Sequence, residues 1–253
     1  MRLNLNERQH AIWNTVQREG EVKIGDLKEL FSVTDMTIRR DLEKLEASGL
    51  IRRTFGGAIP VTPDVSLNER NAVLIDEKAR IGRRAAELIE PDQAIFLDGG
   101  TTTLQVAKHI APDHSITVVT NALNVAAVLL ERGVHTIVTG GTILEKTGSM
   151  IGPIALHSLS SMAFDQVFLG TAGVTAEHGF SNSNSFEAEL KRFVMGRSGK
   201  VNIVADSSKL GSRFLHSFAG LKDIHRFITD IAPPAAFAEI AQTEGVEVIA
   251  SEM

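Results

Sequence analysis

Two domains of different class are predicted from this sequence: a small, mainly α domain closed by a β-hairpin, then a larger α/β domain with a mostly parallel sheet. Three observations predict them. Three short helical segments crowd the first fifty residues and run into a Gly-Gly hairpin. Pro60 and Pro63, two prolines in four residues, then disfavour both a helix and a sheet interior. Beyond residue 76, apolar runs alternate with helical segments, the pattern of parallel strands joined by helices. The expected boundaries are 1–61 for the first domain, 62–75 for a linker and 76–253 for the second domain.

The first domain builds up in order. Residues 7–17 have helical spacing, with Ile12 and Val16 on one face and Trp13 beside them, and Gly20 stops the helix. After an extended piece at 21–23, Ile24, Leu27, Leu30 and Phe31 fit a second, short helix. Ser32 and Val33 connect tightly to a third, VTDMTIRRDL (33–42). Thr34 is its N-cap, and Asp35 suits the positive end of the helix dipole. Ile38, Leu42 and Leu45 recur at i, i+4, i+7 and face a core, which turns Met36, Arg39, Arg40 and Glu43 outward. Gly49 ends this helix. LIRRT (50–54) and AIPV (58–61) pair around Gly56 and Gly57 and carry Arg52, Arg53 and Thr54. Helix, helix, tight turn, basic helix and ribbon is the order of a winged helix-turn-helix. In that arrangement the third helix enters the major groove of DNA and the wing meets phosphates or the minor groove. Alone, the third helix could be an ordinary amphipathic helix with a solvated basic face; the neighbouring elements favour DNA. The candidate contacts are Thr34, Asp35, Met36, Thr37, Arg39, Arg40, Arg52, Arg53 and Thr54.

Charge agrees with site-specific binding. Residues 1–60 hold ten Lys/Arg against nine Asp/Glu, the remainder 16 against 22, and the whole chain carries −5. An acidic body argues against coating nucleic acid regardless of sequence. Cys is absent, which excludes disulfides and thiolate metal sites. No apolar run approaches 18 residues, and MRLNLNERQ lacks a signal-peptide core, so no membrane contact and a cytoplasmic location are expected. The eight His residues lack H-x-x-x-H spacing, and neither a metal nor a cofactor is expected.

In the second domain, 77–89 reads as a helix. Strands are expected at 94–97, 116–119, 135–138, 166–169 and 201–205, and later at 227–230 and 246–249. Helices are expected between them at 104–110, 123–131, 154–162 and 186–195. Ligands of such sheets gather at the carboxyl ends of the strands. The first strand ends in DGGTTT (98–103) and leads straight into a helix. Its glycines allow close backbone approach, and its helix start offers free N–H groups and three hydroxyls, a combination suited to an oxyanion. A plain Thr-capped turn is the competing reading. The other strand ends are also small and polar: Thr120-Asn121, TGGT (139–142), GTAG (170–173) and DSSKLG (206–211). Lys209 is delivered to the same rim. Glu187 and Lys191 are four apart on one helix face, either as a surface ion pair or lining a pocket mouth. Neither G-x-x-x-x-G-K-[ST] nor G-x-G-x-x-G occurs, which weakens ATPase and dinucleotide readings.

VTDMTIRRDLEKLEASGLIRRTFGGA closely resembles the N-terminal signature of the DeoR-type bacterial transcriptional repressors. Thr34 stands where the family usually caps with Ser, and Phe55 where it usually has His. DGGTTT, TNALN, the third-strand glycines, FLGTAGV, EAELKR and DSSKLG resemble the same family's effector domain, which is similar in fold to ribose-5-phosphate isomerase. The resemblance implies a phosphorylated sugar effector, with Gly100, Thr101, Thr102 and Thr103 holding the phosphate and Lys209 assisting. It implies that Asp98, Asn121, Gly141, Gly170, Glu187 and Lys191 shape the sugar pocket; Gly99 and Asp206 flank them and complete the candidate set. Operator DNA bound by a homodimer or homotetramer is expected, since one small head offers limited base contact.

A sugar-phosphate isomerase with an accessory DNA-binding head is the competing function. Isomerisation needs a base, and Asp98, Glu187 and Asp206 are available. The isomerases carry an acidic segment after the fourth strand, whereas this chain has GTAGVT there and no carboxylate until Glu177, which favours a receptor.

Overall fold

The computed structural model describes residues 5–19, 22–47, 51–54, 56–60, 67, 73–112 and 115–251. The chain forms two compact units, Met1–Val65 and Ser66–Met253. Gly20, Gly49, Phe55 and most of the expected linker lie outside the described residues.

The first unit contains α1 (Glu7–Glu19), β1 (Val22–Lys23), α2 (Ile24–Phe31), α3 (Asp35–Ala47), β2 (Ile51–Arg53) and β3 (Gly57–Pro60). Ile12 and Val16 of α1, Leu27 of α2, and Ile38, Leu42 and Leu45 of α3 bury together with Ile51 and Ala58 of the ribbon. Leu30 departs from expectation: it is 62% exposed, because the short α2 buries Ile24 and Leu27 and packs Phe31 at the edge of the core, leaving Leu30 on the outer side. Ser32 takes a left-handed conformation (φ 51°), which makes the α2–α3 turn tight. Trp13 is half-buried against this core. The hairpin gains a third strand, since β3 pairs with both β2 and β1. That closeness requires Gly57, where a Cβ would sit 1.8 Å from the Val22 carbonyl oxygen.

The second unit is built on a seven-stranded sheet in which every pairing is parallel. Its elements begin with α4 (Ile75–Ala86), β4 (Ala94–Leu97), α5 (Thr101–His109), β5 (Thr117–Thr120), α6 (Leu123–Glu131) and β6 (His135–Val138). A hairpin of β7 (Thr142–Leu144) and β8 (Ser149–Ile151) follows, then α7 (Pro153–Leu159) and β9 (Phe164–Leu169). Next come β10 (Gly173–Thr175), β11 (Gly179–Asn182), α8 (Ser185–Met195), β12 (Ser198–Val204), β13 (His216–Ala219), β14 (Arg226–Thr229), α9 (Ala235–Thr243) and β15 (Glu247–Ala250). The strand order is β15-β14-β12-β9-β4-β5-β6. Adjacent residues of one strand point to opposite faces: Ile95 and Leu97 pack with α4, α5 and α6, and Phe96 packs on the other face with α7 and α8. Burial on both faces explains why these strands read as unbroken apolar runs. The hairpin, the antiparallel sheet β10-β11-β13 and α9 were not expected from the sequence. Among the described residues, no helix is long and apolar enough to cross a membrane.

Candidate functional site

In the first unit, Thr34 Oγ1 accepts from the Thr37 backbone N–H at 3.4 Å and meets the Thr37 hydroxyl at 3.0 Å, so the expected cap of α3 forms. Asp35 at the helix start is ion-paired with Lys28. Met36, Arg39 and Arg40 are exposed, while Thr37 is half-buried. Between the outward arginines and the apolar face lies Asp41, a residue sequence reasoning missed. It is 4% exposed and accepts from Arg8 Nε at 2.6 Å and Gln9 Nε2 at 2.9 Å, which fixes the roll of α3 against α1. The signal was its position: Ile38, Asp41, Leu42 and Leu45 fall at i, i+3, i+4, i+7, so the carboxylate had to be buried and paired.

Arg53 turns back onto α3. Its Nε donates to Glu46 at 2.8 Å, its guanidinium to Glu43 at 3.0 Å, and its backbone N–H to Glu46 at 2.9 Å. These bonds brace the wing, and any phosphate contact by Arg53 has to compete with two carboxylates. Thr54 is exposed. The Arg52 backbone pairs with Ile59; its side chain lies outside the described residues. The Arg53 backbone N–H, and then its guanidinium, hold the Glu46 carboxyl below its ordinary 4.5. A depressed acid stabilises above its ordinary value and loses that contribution as pH falls through the lowered one, so the brace weakens only in acid.

In the second unit the chain runs from β4 outward through β5 to β6, then returns to β9 on the other side of β4. That reversal leaves a crevice at the carboxyl ends of β4 and β9, the place where such sheets bind ligands. A narrow cavity of about 40 Å³ lies there. Gly99, Gly100, Thr101, Thr102 and Thr103 line it from the start of α5, Gly170 from the end of β9, and Glu187, Lys191 and Lys209 from farther along the chain.

The α5 end of the cavity lacks internal partners. Gly100 caps α5 without a side-chain hydrogen bond, leaving first-turn N–H groups for an incoming acceptor. Thr103 Oγ1 is fully buried and has no hydrogen-bond partner among the described residues. A Cβ on Gly99 would sit 2.2 Å from Ser149 Oγ, so this turn admits only glycine without rearrangement. Lys209, half-buried on the 3-10 turn Ser207–Lys209, makes no ion pair among the described residues.

The opposite holds for the buried network around Lys191. Its ammonium donates to Gly170 O at 2.7 Å and Asn182 Oδ1 at 3.1 Å and lies 3.1 Å from Asp98 Oδ2. Those partners use all three protons of the ammonium. Asp98 Oδ2 also accepts from the Gly170 N–H at 3.1 Å, tying β4 to β9. Asn182 Nδ2 and Thr147 Oγ1 donate to the two oxygens of Glu187, each at 3.1 Å. Glu187 and Lys191 therefore share the cavity wall, with Asn182 between them, and form no surface pair.

Four expected pocket residues stand back from the cavity. Asp98 lies behind Lys191. Asn121 is buried and donates to Met150 O at 3.2 Å, holding the hairpin to the end of β5. Gly141 (φ +119°) makes a turn where a Cβ would approach Ile151 O to 2.7 Å, so its glycine serves packing. Asp206 is 1% exposed, caps the 3-10 turn by accepting from Ser208, and lies 3.9 Å from the buried Lys78 ammonium. Conversely, Thr147, Thr171, Ala172, Asn182, Val204 and Ala205 line the cavity and were not singled out from the sequence. Among the described residues, no His, Cys, Asp or Glu group could hold a metal ion.

Two family models match the chain: the DeoR-like helix-turn-helix domain over residues 8–63, and the DeoR C terminal sensor domain over residues 74–231. The HTH-type transcriptional regulator YulB of Bacillus subtilis is 36% identical over 248 residues, 96% of each chain. The glycerol-3-phosphate regulon repressor of Escherichia coli K12 is 32% identical, covering 92% of this chain and 94% of its own. Among solved structures, a ribose 5-phosphate isomerase from Methanocaldococcus jannaschii overlaps 54% of each chain with a TM-score of 0.41 and 13% identity. With matching models over both units and full-length relatives above 30% identity, the chain belongs to the DeoR family of DNA-binding transcriptional regulators.

Proposed function

We propose that this regulator represses a carbohydrate-utilisation operon from the cytoplasm and is released from operator DNA by a phosphorylated sugar or related intermediate. Residues 1–61 bind DNA as part of a homodimer or homotetramer, 62–75 connect, and 76–253 sense the effector. The observation that carries this reading is the α5 end of the cavity. An open helix N-terminus, the unpartnered Thr103 hydroxyl and the unpaired Lys209 converge on one space, and the positive end of a helix dipole favours an anion there. A relative named for a glycerol-3-phosphate regulon supports a small phosphorylated effector. The site's carboxylates support a receptor over an enzyme. Asp98 is neutralised by Lys191, Asp206 is enclosed, and Glu187 is held by Thr147 and Asn182, so no base is poised for isomerisation.

Release requires the effector to prefer a conformation that binds DNA poorly, and DNA must then weaken effector binding by the same factor. Two substitutions test the two halves. Arg40→Ala is expected to weaken operator binding by about ten- to a hundredfold at fixed salt, the worth of one good base contact, with thermal stability unchanged. Unaltered affinity in a gel-shift titration would remove α3 from the groove. Lys209→Ala is expected to keep operator affinity while raising the effector concentration needed for release by about tenfold or more, the scale of one charge-assisted hydrogen bond. Normal release by that variant would reject the phosphate site.

A further inference from the structure

We infer that the sensor cavity accepts a monophosphate whose remaining functional groups are uncharged hydroxyls, and that the buried Glu187 carboxylate excludes sugar acids and bisphosphates. The inference rests on the phosphate site proposed above and adds the chemistry of the rest of the ligand. It comes from the charge and hydrogen-bonding capacity of the wall. Three charged side chains line the cavity: Glu187, Lys191 and Lys209. Lys191 has spent its protons on Gly170, Asn182 and Asp98, so it offers nothing to a second anion. Lys209 and the start of α5 supply enough positive character for one phosphate.

Glu187 sets the other requirement. It is 9% exposed, and its carboxylate has about four acceptor positions, of which Thr147 and Asn182 fill two. The remaining lone pairs accept protons and donate none. A sugar hydroxyl satisfies them. A second phosphate or an aldonate carboxylate would place a like charge beside a carboxylate shielded from water, where repulsion is strong. Asn182 is fixed by Lys191 on its carbonyl and by Glu187 on one amide proton, so its second N–H offers one neutral donor and no charge to offset a second anion. Thr147, on the β7–β8 hairpin, gives its proton to Glu187 and leaves the carboxylate as the wall's hydrogen-bonding face.

Isothermal titration of the full-length protein tests this with inorganic phosphate and three matched pairs. These are glycerol 3-phosphate against 3-phosphoglycerate, glucose 6-phosphate against 6-phosphogluconate, and fructose 6-phosphate against fructose 1,6-bisphosphate. The neutral-tailed member is expected to bind at least tenfold tighter in every pair that binds, and Glu187→Gln should shrink that ratio to less than threefold. If Glu187→Gln fails to fold, the wild-type ratios decide. An acid or bisphosphate that binds wild type as tightly as its partner, or inorganic phosphate binding with no sugar phosphate exceeding it, overturns the inference and leaves the phosphate site standing. No binding of phosphate or of any pair member overturns the phosphate site itself.

Discussion

A Gly57→Val variant is expected to lose operator binding at concentrations that saturate the wild type, while its sensor unit melts normally. The cause is steric and lies in the backbone. Even a lone Cβ at residue 57 would stand 1.8 Å from the Val22 carbonyl oxygen and 3.0 Å from Lys23 Cα, and valine adds two methyls. Neither obstacle is the end of a flexible side chain, so relief means parting β3 from β1. Those strands pair Val22 with Ala58 and Lys23 with Gly57, and Val22 and Ala58 both belong to the small core. A unit of this size has on the order of 3–9 kcal/mol of stability in total, at the usual 0.05–0.15 kcal/mol per residue. Losing a strand that links α1, α2 and the wing consumes much of that. Calorimetry paired with a gel shift checks the result; wild-type affinity in the variant would show that β1–β3 pairing is dispensable.

In the sensor unit the largest effect is expected from Lys191→Met. Methionine keeps the length and leaves the Asp98 carboxylate, 3% exposed, with the Gly170 N–H as its remaining partner among the described residues, and strips Gly170 O and Asn182 Oδ1 of their donor. Breaking a buried pair from one side costs about 3–5 kcal/mol because the surviving charge stays buried. The Lys191→Met, Asp98→Asn double variant removes that charge and should recover a substantial part of the loss. Urea titrations of the two variants and the wild type measure this. A single-variant cost below about 1 kcal/mol, or a double variant no better than the single, would mean water reaches Asp98 and the network is not closed.

The sequence was most legible where one element's pattern decided its own structure. Residues 94–97 match β4 at both ends because AIFL is a short apolar run between helices in the covered middle of the sheet, and 135–138 match the more exposed edge strand β6. The third helix was legible through Ile38, Leu42 and Leu45. The short strands β7, β8, β10 and β11 were not. Segments such as Ser149–Ile151 and Gly173–Thr175 have only three residues, too few to show an alternation of their own, and pairing with partner strands defines them. The cavity shows the same divide. DGGTTT announces an open helix start locally, whereas Thr147 and Asn182 come from those short hairpins and enter the wall only through tertiary pairing. Gly141 shows how a strand-end glycine misleads: close approach to a ligand and a tight turn leave the same residue in the sequence, and only its φ of +119° and the Ile151 carbonyl identify the turn.

Trp13 gives the molecule a built-in optical label. The chain has one tryptophan and no tyrosine, and that indole packs against the core of the first unit, with its N–H buried and without a hydrogen-bond partner among the described residues. Near-ultraviolet emission therefore originates from the DNA-binding unit alone. Unfolding of the sensor unit is dark in this channel and visible in circular dichroism, so the two curves separate and neither yields a single two-state midpoint for the chain. Ligand entering the sensor cavity is dark too, unless its binding energy reaches the other unit. A shift in emission on adding a sugar phosphate would thus be a direct, DNA-free measure of the message passed between them.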